Sequence, residues 1–213
     1  MKVTEIFNSI EGEGKRAGLP ATFIRLHGCN LRCSYCDSMY AVDGKDWKEM
    51  SVNEIVEKVK KIGCTNITLT GGEPLIHENI NELIKALIRE NCSINVETNG
   101  TVKPSIRGTH IFYTVDYKTT SSEMLSRMDP KIFRSLYQTD VIKFVVGSQE
   151  DLDDALYFMD SLEDVPAQVY VSPVFGKIEP LDIVHYIQVH KLWNWHLQIQ
   201  LHKLLWAPDK RGV

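Results

Sequence analysis

The sequence predicts an α/β fold in which a parallel sheet is joined by crossover helices. Short β-rich runs alternate along the chain with longer stretches of helical apolar periodicity. No repeat, low-complexity tract or Pro/Gly/Ser linker interrupts the 213 residues, so a single domain spanning 1–213 is expected. A chain near this length buries roughly 70% of the surface its unfolded form exposes, enough for one sizeable core.

The elements follow in order. Strands are expected at 3–7, 21–26, 67–70, 94–97, 111–115, 141–146, 169–172 and 197–200. Val52, Ile55, Val56, Val59 and Ile62 form one helical face, and Ser51 followed by Glu54 is a capping box. Ile80, Leu83, Ile84, Leu87 and Ile88 form a second face. Both helices fall between strands, as crossover connections require. Asn99-Gly100 reads as a tight turn and Asp129-Pro130 as a helix start. The helix over 151–162 places its acids mostly on a solvated face. The first forty residues differ: two strands flank the turn Glu11-Gly12-Glu13-Gly14, followed by a cysteine loop with no clear helix. Loops beyond strand ends are where open α/β sheets and barrels place chemistry.

Composition narrows the function class. Twenty-four basic against 28 acidic side chains give a formal charge of −4, and the pI is near 6.0. Neither a nucleic-acid footprint nor a polybasic membrane patch fits that balance. The longest apolar runs are strand-sized and the N-terminus lacks a signal-peptide core. A cytoplasmic protein with no membrane and no direct nucleic-acid contact is expected.

Five cysteines are present, and Cys29, Cys33 and Cys36 lie within eight residues. An odd, crowded set in an unexported chain reads as metal or cluster ligation rather than a disulfide framework. Three thiolates on a short loop suit an iron–sulfur cluster and leave one iron without a protein ligand, open to substrate or cofactor. Structural zinc, with His27 as a fourth ligand, is the plainer alternative. Simple packing of core cysteines is plainer still.

The spacing CxxxCxxC, with Tyr35 before the last cysteine, resembles the signature of radical S-adenosylmethionine (SAM) enzymes. Thr70-Gly71-Gly72-Glu73-Pro74, directly after a strand, resembles their glycine-rich SAM motif, although alone it would pass for an ordinary turn. The segments 7–14 and 20–29, the Thr-Gly-Gly-Glu-Pro motif, the short length and the terminal Gln200-Leu201-His202-Lys203 resemble the 7-carboxy-7-deazaguanine synthase family. That likeness covers residues from near 5 to 100 and the C-terminal tail, and it is weak between them.

The resemblance implies a partial, distorted (β/α) barrel, since 213 residues are few for eight full repeats. It implies a homodimer, a [4Fe-4S] cluster, SAM and Mg²⁺. The implied reaction converts 6-carboxy-5,6,7,8-tetrahydropterin to 7-carboxy-7-deazaguanine with loss of ammonia, a step toward queuosine and other deazapurines. The electron would come from a reducing protein such as flavodoxin or ferredoxin, and a SAM-derived radical would remove hydrogen from pterin C6. By position, Cys29, Cys33 and Cys36 in the loop 27–40 would hold the cluster. Tyr35, Cys36 and Asp37 would face adenine, and Gly72 and Glu73 the SAM methionine moiety. Asp116 would meet ribose, Lys118 the SAM carboxylate and Ser172 adenine; a surface salt bridge is the ordinary alternative for Asp116 and Lys118. Ile10, Glu11, Gly12 and Glu13 would contact the pterin, and Arg25 its carboxylate, a task suited to a planar fork. Thr70, and within the tail 200–213 His202 and Val213, complete the implied substrate set.

Two departures from the family pattern stand out. Glu11 occupies a position where Gln is common, so a charged acceptor replaces the amide or faces away. Ser38 occupies the place of a Thr that helps bind Mg²⁺; it keeps the hydroxyl, so Mg²⁺ is expected to be retained. Cys64 and Cys92 read as small hydrophobes. Trp193-Asn194-Trp195-His196 reads as core or dimer packing, and His77, His110, His185, His190 and His196 show no ligand spacing. A glycyl-radical activating enzyme shares the cysteine spacing and is the nearest enzyme alternative. A non-catalytic zinc or iron–sulfur module is the alternative from another class.

Overall fold

The computed structural model describes residues 1–162, 164–208 and 210–213. Its organising element is a nine-stranded sheet. The first strand, β1 (Lys2–Ile10), runs antiparallel to β2 (Pro20–Leu26) and to the two-residue β3 (Lys48–Glu49). From β2 onward every pairing is parallel: β4 (Asn66–Gly71), β5 (Ser93–Thr98), β6 (Ile111–Tyr117), β7 (Val141–Val146), β8 (Gln168–Pro173) and β9 (Trp195–Leu197). The order is β3-β1-β2-β4-β5-β6-β7-β8-β9, and among the described residues no ladder joins its two ends. The α/β class is as the alternation predicts, and the sheet is open.

Parallel neighbours need crossovers, and the apolar periodicity supplies them. Helix α1 (Met39–Val42) ends the cysteine loop, and α2 (Val52–Ile62) and α3 (Ile80–Arg89) follow it. Short α4 (Pro130–Phe133), then α5 (Gln149–Ser161) and α6 (Pro180–Val189), link the later strands, and α7 (Leu201–Leu205) opens the tail. Both halves of the capping box form: Ser51 Oγ accepts from Glu54 N at 3.3 Å, and Glu54 Oε2 accepts from Ser51 N at 2.7 Å. Asp129 caps α4 through Lys131 N at 2.9 Å. Among the described residues no helix is long and apolar enough to cross a membrane.

Strand alternation sorts the side chains onto two faces. Ile24, Leu69, Val96, Val115, Phe144 and Val171 are buried in one apolar core with Leu83, Ile84 and Leu87 of α3. The intervening positions are Arg25, Thr70, Glu97, Asp116 and Lys143. Register sets Arg25 beside Thr70 and Asp116 beside Lys143. This second face is polar because it lines a cavity rather than a helix layer.

Some local details depart from expectation, and others, such as the core packing of Trp195 and Cys92, meet it. The last strand is Trp195–Leu197 rather than 197–200, because Gln198 turns its amide to Gly14, at 2.6 and 3.1 Å. Asp151 is buried instead of solvated, accepting from Gly147 N at 2.6 Å and Ser121 N at 2.8 Å. Trp195 is buried and stacks on Phe144, whereas Trp193 is exposed. Cys92 lies in the core and Cys64 is half-buried. Removing the cap by Ser51→Ala should lower stability by about 1 kcal/mol, read from the midpoint of urea unfolding.

Candidate active site

A cavity of about 280 Å³ opens among the strand ends and collects most of the residues singled out in the sequence. Its lining comes from β2, β4, β5, β6 and β7, from the cysteine loop, from the turn after β1 and from the C-terminal tail. Among its residues are Ile10, Gly12, Glu13, Arg25, Thr70, Gly72, His202 and Val213.

The turn after β1 folds back against the inner face of the sheet. Glu11 lines the cavity with this turn, but its carboxylate is buried and committed to protein partners. Arg16 Nη2 donates to Glu11 Oε1 at 2.9 Å, and the Thr68 hydroxyl donates to the same oxygen. Burial raises the Glu11 carboxyl, with Thr68 and Arg16 opposing. Arg16 also donates to the Ile67 and Ser93 carbonyls, at 2.7 and 2.9 Å. The Glu11 charge is therefore held by an arginine five residues on.

Glu13 behaves differently. Lys143 Nζ donates to its Oε2 at 2.8 Å and Gln200 Nε2 to the same oxygen at 3.3 Å. Burial is the largest single influence and would raise this carboxyl, but the Lys143 charge together with the hydrogen bonds from Lys143 and Gln200 and the neighbouring Ser172 hydroxyl outweighs it and holds the group below its ordinary value. Ser172 is buried near Glu13 and is not part of the cavity lining; its hydroxyl makes no hydrogen bond of ordinary geometry among the described residues. The tail docks on this turn, with Leu201 N donating to Gly12 O at 3.0 Å. A Cβ on Gly12 would meet the His202 ring at 2.4 Å, so only glycine admits that histidine.

Arg25 is aimed from behind. Its Nε donates to Glu5 Oε1 at 2.8 Å, and the Tyr40 hydroxyl donates to the same oxygen at 2.7 Å. Among the described residues the two terminal nitrogens of Arg25 make no hydrogen bond, so the fork faces the cavity with donors to spare. Arg211 from the tail lies 4.0 Å over the Tyr40 ring.

The three thiols line one side of the same cavity. Cys29 Sγ accepts from Leu31 N at 3.4 Å and from Asn99 Nδ2 at 3.5 Å. Tyr35 reaches across to donate to Val145 O at 3.1 Å. Ser38 donates to Asp37 at 2.9 Å, and Asp37 pairs with Lys203 of α7 at 3.1 Å. Asp116 and Lys118 form an ion pair of 2.7 Å facing the cavity rather than the surface. Gly72 packs so tightly on the loop that a Cβ would lie 2.2 Å from Gly28 O.

Glu73 does not join the lining. It is fully buried, with Oε1 accepting from Thr98 Oγ1 at 2.7 Å and Leu75 N at 2.9 Å, and Oε2 from Asn99 N at 2.6 Å. Its carboxylate thus ties the glycine turn to Asn99, which in turn meets Cys29. His27 is absent from the lining too, stacking instead on Trp47 at 5.7 Å. Among the described residues no three His, Cys, Asp or Glu side chains converge closely enough for one metal ion. Three thiols on one wall, two polar hydrogens aimed at a sulfur and a glycine cradle beside them fit a multi-iron cluster and its ligand.

Sequence reasoning passed over Lys143, Glu97, Glu5 and Tyr40. Burial pushes the Glu97 carboxyl up to about 7, with Lys143 opposing and Glu11 and Glu13 adding. The signal for Lys143 was available, as the one polar member of Val-Ile-Lys-Phe-Val-Val; Glu97 alternates with the apolar Ile94 and Val96 in a strand that also carries Ser93, Asn95 and Thr98.

A family model described as the Radical SAM superfamily matches residues 23–134, just over half of the chain. The 7-carboxy-7-deazaguanine synthase of Clostridium acetobutylicum is 42% identical over 221 aligned residues, covering 100% of this chain and 99% of the relative. This chain belongs to the 7-carboxy-7-deazaguanine synthase family. Another member, from Thermoplasma acidophilum, is 37% identical with 100% of both chains covered. The crystal structure of QueE from Escherichia coli shares the fold, with a TM-score of 0.76, 24% identity and 93% coverage of both chains. Streptococcus suis SuiB bound to S-adenosylmethionine is more distant, at TM-score 0.56 and 13% identity, covering 83% of this chain and 51% of that one. Membership in the radical SAM superfamily brings a [4Fe-4S] cluster and SAM as cofactors.

Two stability predictions follow from these side chains. Arg16→Met strands the buried Glu11 carboxylate and should cost about 3 kcal/mol or more; adding Glu11→Gln should recover much of the loss in urea unfolding. The Glu97 value lies above its ordinary 4.5, so the folded protein keeps a proton that the unfolded chain releases. Its contribution is complete below about pH 4.5 and lost as pH rises through about 7. Glu97→Gln should flatten that fall, by at most ~3 kcal/mol, in urea midpoints of the cofactor-free protein taken across this range.

Proposed function

We propose that the chain converts 6-carboxy-5,6,7,8-tetrahydropterin to 7-carboxy-7-deazaguanine with release of ammonia. The observation that carries this reading is the shared cavity. Three thiols occupy one side of it, while a carboxylate and an arginine with spare hydrogen-bonding capacity occupy the rest. Family membership across the full length points the same way.

Cys29, Cys33 and Cys36 would hold the cluster in this reading. When bound, cluster and SAM supply the radical that starts the reaction by hydrogen abstraction. The protein's part is binding, orientation and exclusion of water. Gly72 lets backbone approach the methionine moiety, and Tyr35, Cys36 and Asp37 flank the nucleoside. Asp116 and Lys118, already paired, face ribose and carboxylate; Glu73 acts behind Gly72 rather than on SAM. Ser172, buried behind Glu13, is not assigned to SAM.

Glu13 accepts from the guanidine-like end of the pterin, and Arg25 binds its carboxylate through the terminal nitrogens that Glu5 leaves unengaged. Ile10, Glu11 and Gly12 contribute backbone, with Thr70, His202 and Val213 closing the rim. Ser38 is the residue that would hold Mg²⁺, a hard cation that would help neutralise substrate oxygen charge. The electron comes from a cytoplasmic reducing protein such as flavodoxin or ferredoxin. The enzyme works as a homodimer, a reading supported by exposed Leu181, Val189 and Trp193 around α6.

The test is anaerobic turnover of reconstituted protein with reductant, SAM, Mg²⁺ and the carboxypterin. Deazaguanine should appear and should diminish without Mg²⁺. Cys33→Ala should lose both iron and product. Arg25→Ala should raise the substrate KM by about tenfold or more while SAM cleavage persists. An intact cluster that cleaves SAM yet yields no deazaguanine would sink the assignment.

A further inference from the structure

Asn99 sits just past the end of β5, buried between the glycine turn and the cysteine loop. Its backbone N donates to Glu73 Oε2 at 2.6 Å, which fixes the residue in place. Gly100 follows with a φ of 75°, turning the chain so that Thr101 N comes back to Asn99 Oδ1 at 3.1 Å. A backbone N–H can only donate, so the side-chain atom facing it is the oxygen and the amide nitrogen points the other way. Thr101 Oγ1 donates to the same oxygen at 2.6 Å and accepts from Asn30 Nδ2 at 2.8 Å. Asn30 Oδ1 accepts from Asn99 Nδ2 at 2.9 Å, closing a ring of three side chains.

The ring uses one of the two hydrogens on Asn99 Nδ2. Within reach of the other is Cys29 Sγ, at 3.5 Å. Among the described residues no other side chain donates to the sulfur of Cys29, Cys33 or Cys36; the second donor to Cys29 is a backbone amide, Leu31 N at 3.4 Å. Turning the Asn99 amide over would set oxygen against the sulfur and against Asn30 Oδ1, and would leave Thr101 N without its acceptor. The network therefore holds one orientation.

We propose that Asn99 is a positioning residue for reduction of the cluster: by keeping an N–H on the Cys29 sulfur it raises the reduction potential. This rests on the reading of Cys29, Cys33 and Cys36 as the cluster ligands. In the step concerned, the external reducing protein gives up one electron and the [4Fe-4S] centre accepts it, passing from the 2+ to the 1+ state with no bond made or broken and no proton moved. The added negative charge is shared by the ligating sulfurs. A donor already aimed at one of them favours the reduced centre over the oxidised one, and hydrogen bonds to the sulfurs are among the factors that set such potentials. Asn99 acts through Cys29 rather than on the reacting atoms.

The experiment is a redox titration of the reconstituted protein without SAM, using dithionite and following the reduced cluster by electron paramagnetic resonance. Asn99→Ser leaves an oxygen that can still accept from Thr101 N but has no N–H for the sulfur. At a given solution potential its reduced-to-oxidised ratio should fall about tenfold, a downward shift of about 59 mV for one electron. Asn99→Asp keeps the shape and the Thr101 contacts while setting oxygen against the sulfur, so its midpoint should fall at least as far. The midpoint is read from loaded molecules alone, so a variant that takes up less iron still reports. A purely structural role for Asn99 would lower iron content and leave the midpoint where it is. A midpoint at or above the parent's in either variant overturns this proposal and leaves the ligand assignment standing. Should neither variant take up iron, Thr101→Val, which removes the ring hydroxyl, is titrated in their place; a lowered midpoint supports the proposal and an unchanged one overturns it. A Cys29→Ala protein that retains the parent's iron and midpoint overturns both.

Discussion

Charge taken out of water costs several kcal/mol per ion unless an opposite charge and further hydrogen bonds meet it. The inner face of this sheet carries such charges on one strand after another, and their pairing dictates how the surrounding segments pack. Glu11 is met by Arg16, Glu13 by Lys143, Arg25 by Glu5 and Asp116 by Lys118. Each pair fixes a loop or strand end that would otherwise have little apolar surface to hold it. The connection after β1 is a clear case: nine residues, few of them hydrophobic, are placed by two ion pairs and a glutamine.

The cysteine loop is anchored by a different device. Glu73 lies behind the glycine turn and binds three donors, one of them the amide of Asn99. Asn99 then reaches Cys29 and Asn30. A carboxylate that a motif comparison would assign to the ligand instead braces the ligand's surroundings. Lys203 and Arg211 bring the tail onto the same loop through Asp37 and Tyr40. The substrate wall and the cluster wall are therefore mechanically joined.

The parts of this arrangement that were legible in the sequence are those governed by neighbours in the chain. The capping box, the α2 and α3 faces, most strand positions and the cysteine spacing all rest on local pattern, and the structure contains them with shifts of a few residues. The direction of Glu11 was not legible, because it depends on where Arg16 falls after the turn closes. Asp151 looked like one more acid on a solvated face; its burial depends on amides of Gly147 and Ser121. Lys143 shows the boundary most plainly. Alternation in Val-Ile-Lys-Phe-Val-Val reveals which face it takes, but its partner lies far away in the chain.

That separation bears on the order in which the protein can assemble. The Gln198 amide both receives from and donates to Gly14, across 184 positions, at 2.6 and 3.1 Å. Contacts of such span form late, after the intervening chain has been ordered. A chain still being synthesised can present its three cysteines and the glycine turn long before β9 exists to lock the turn after β1. Thiols exposed in that interval have no finished floor beneath them, so maturation of the centre and completion of the fold are separate events in time.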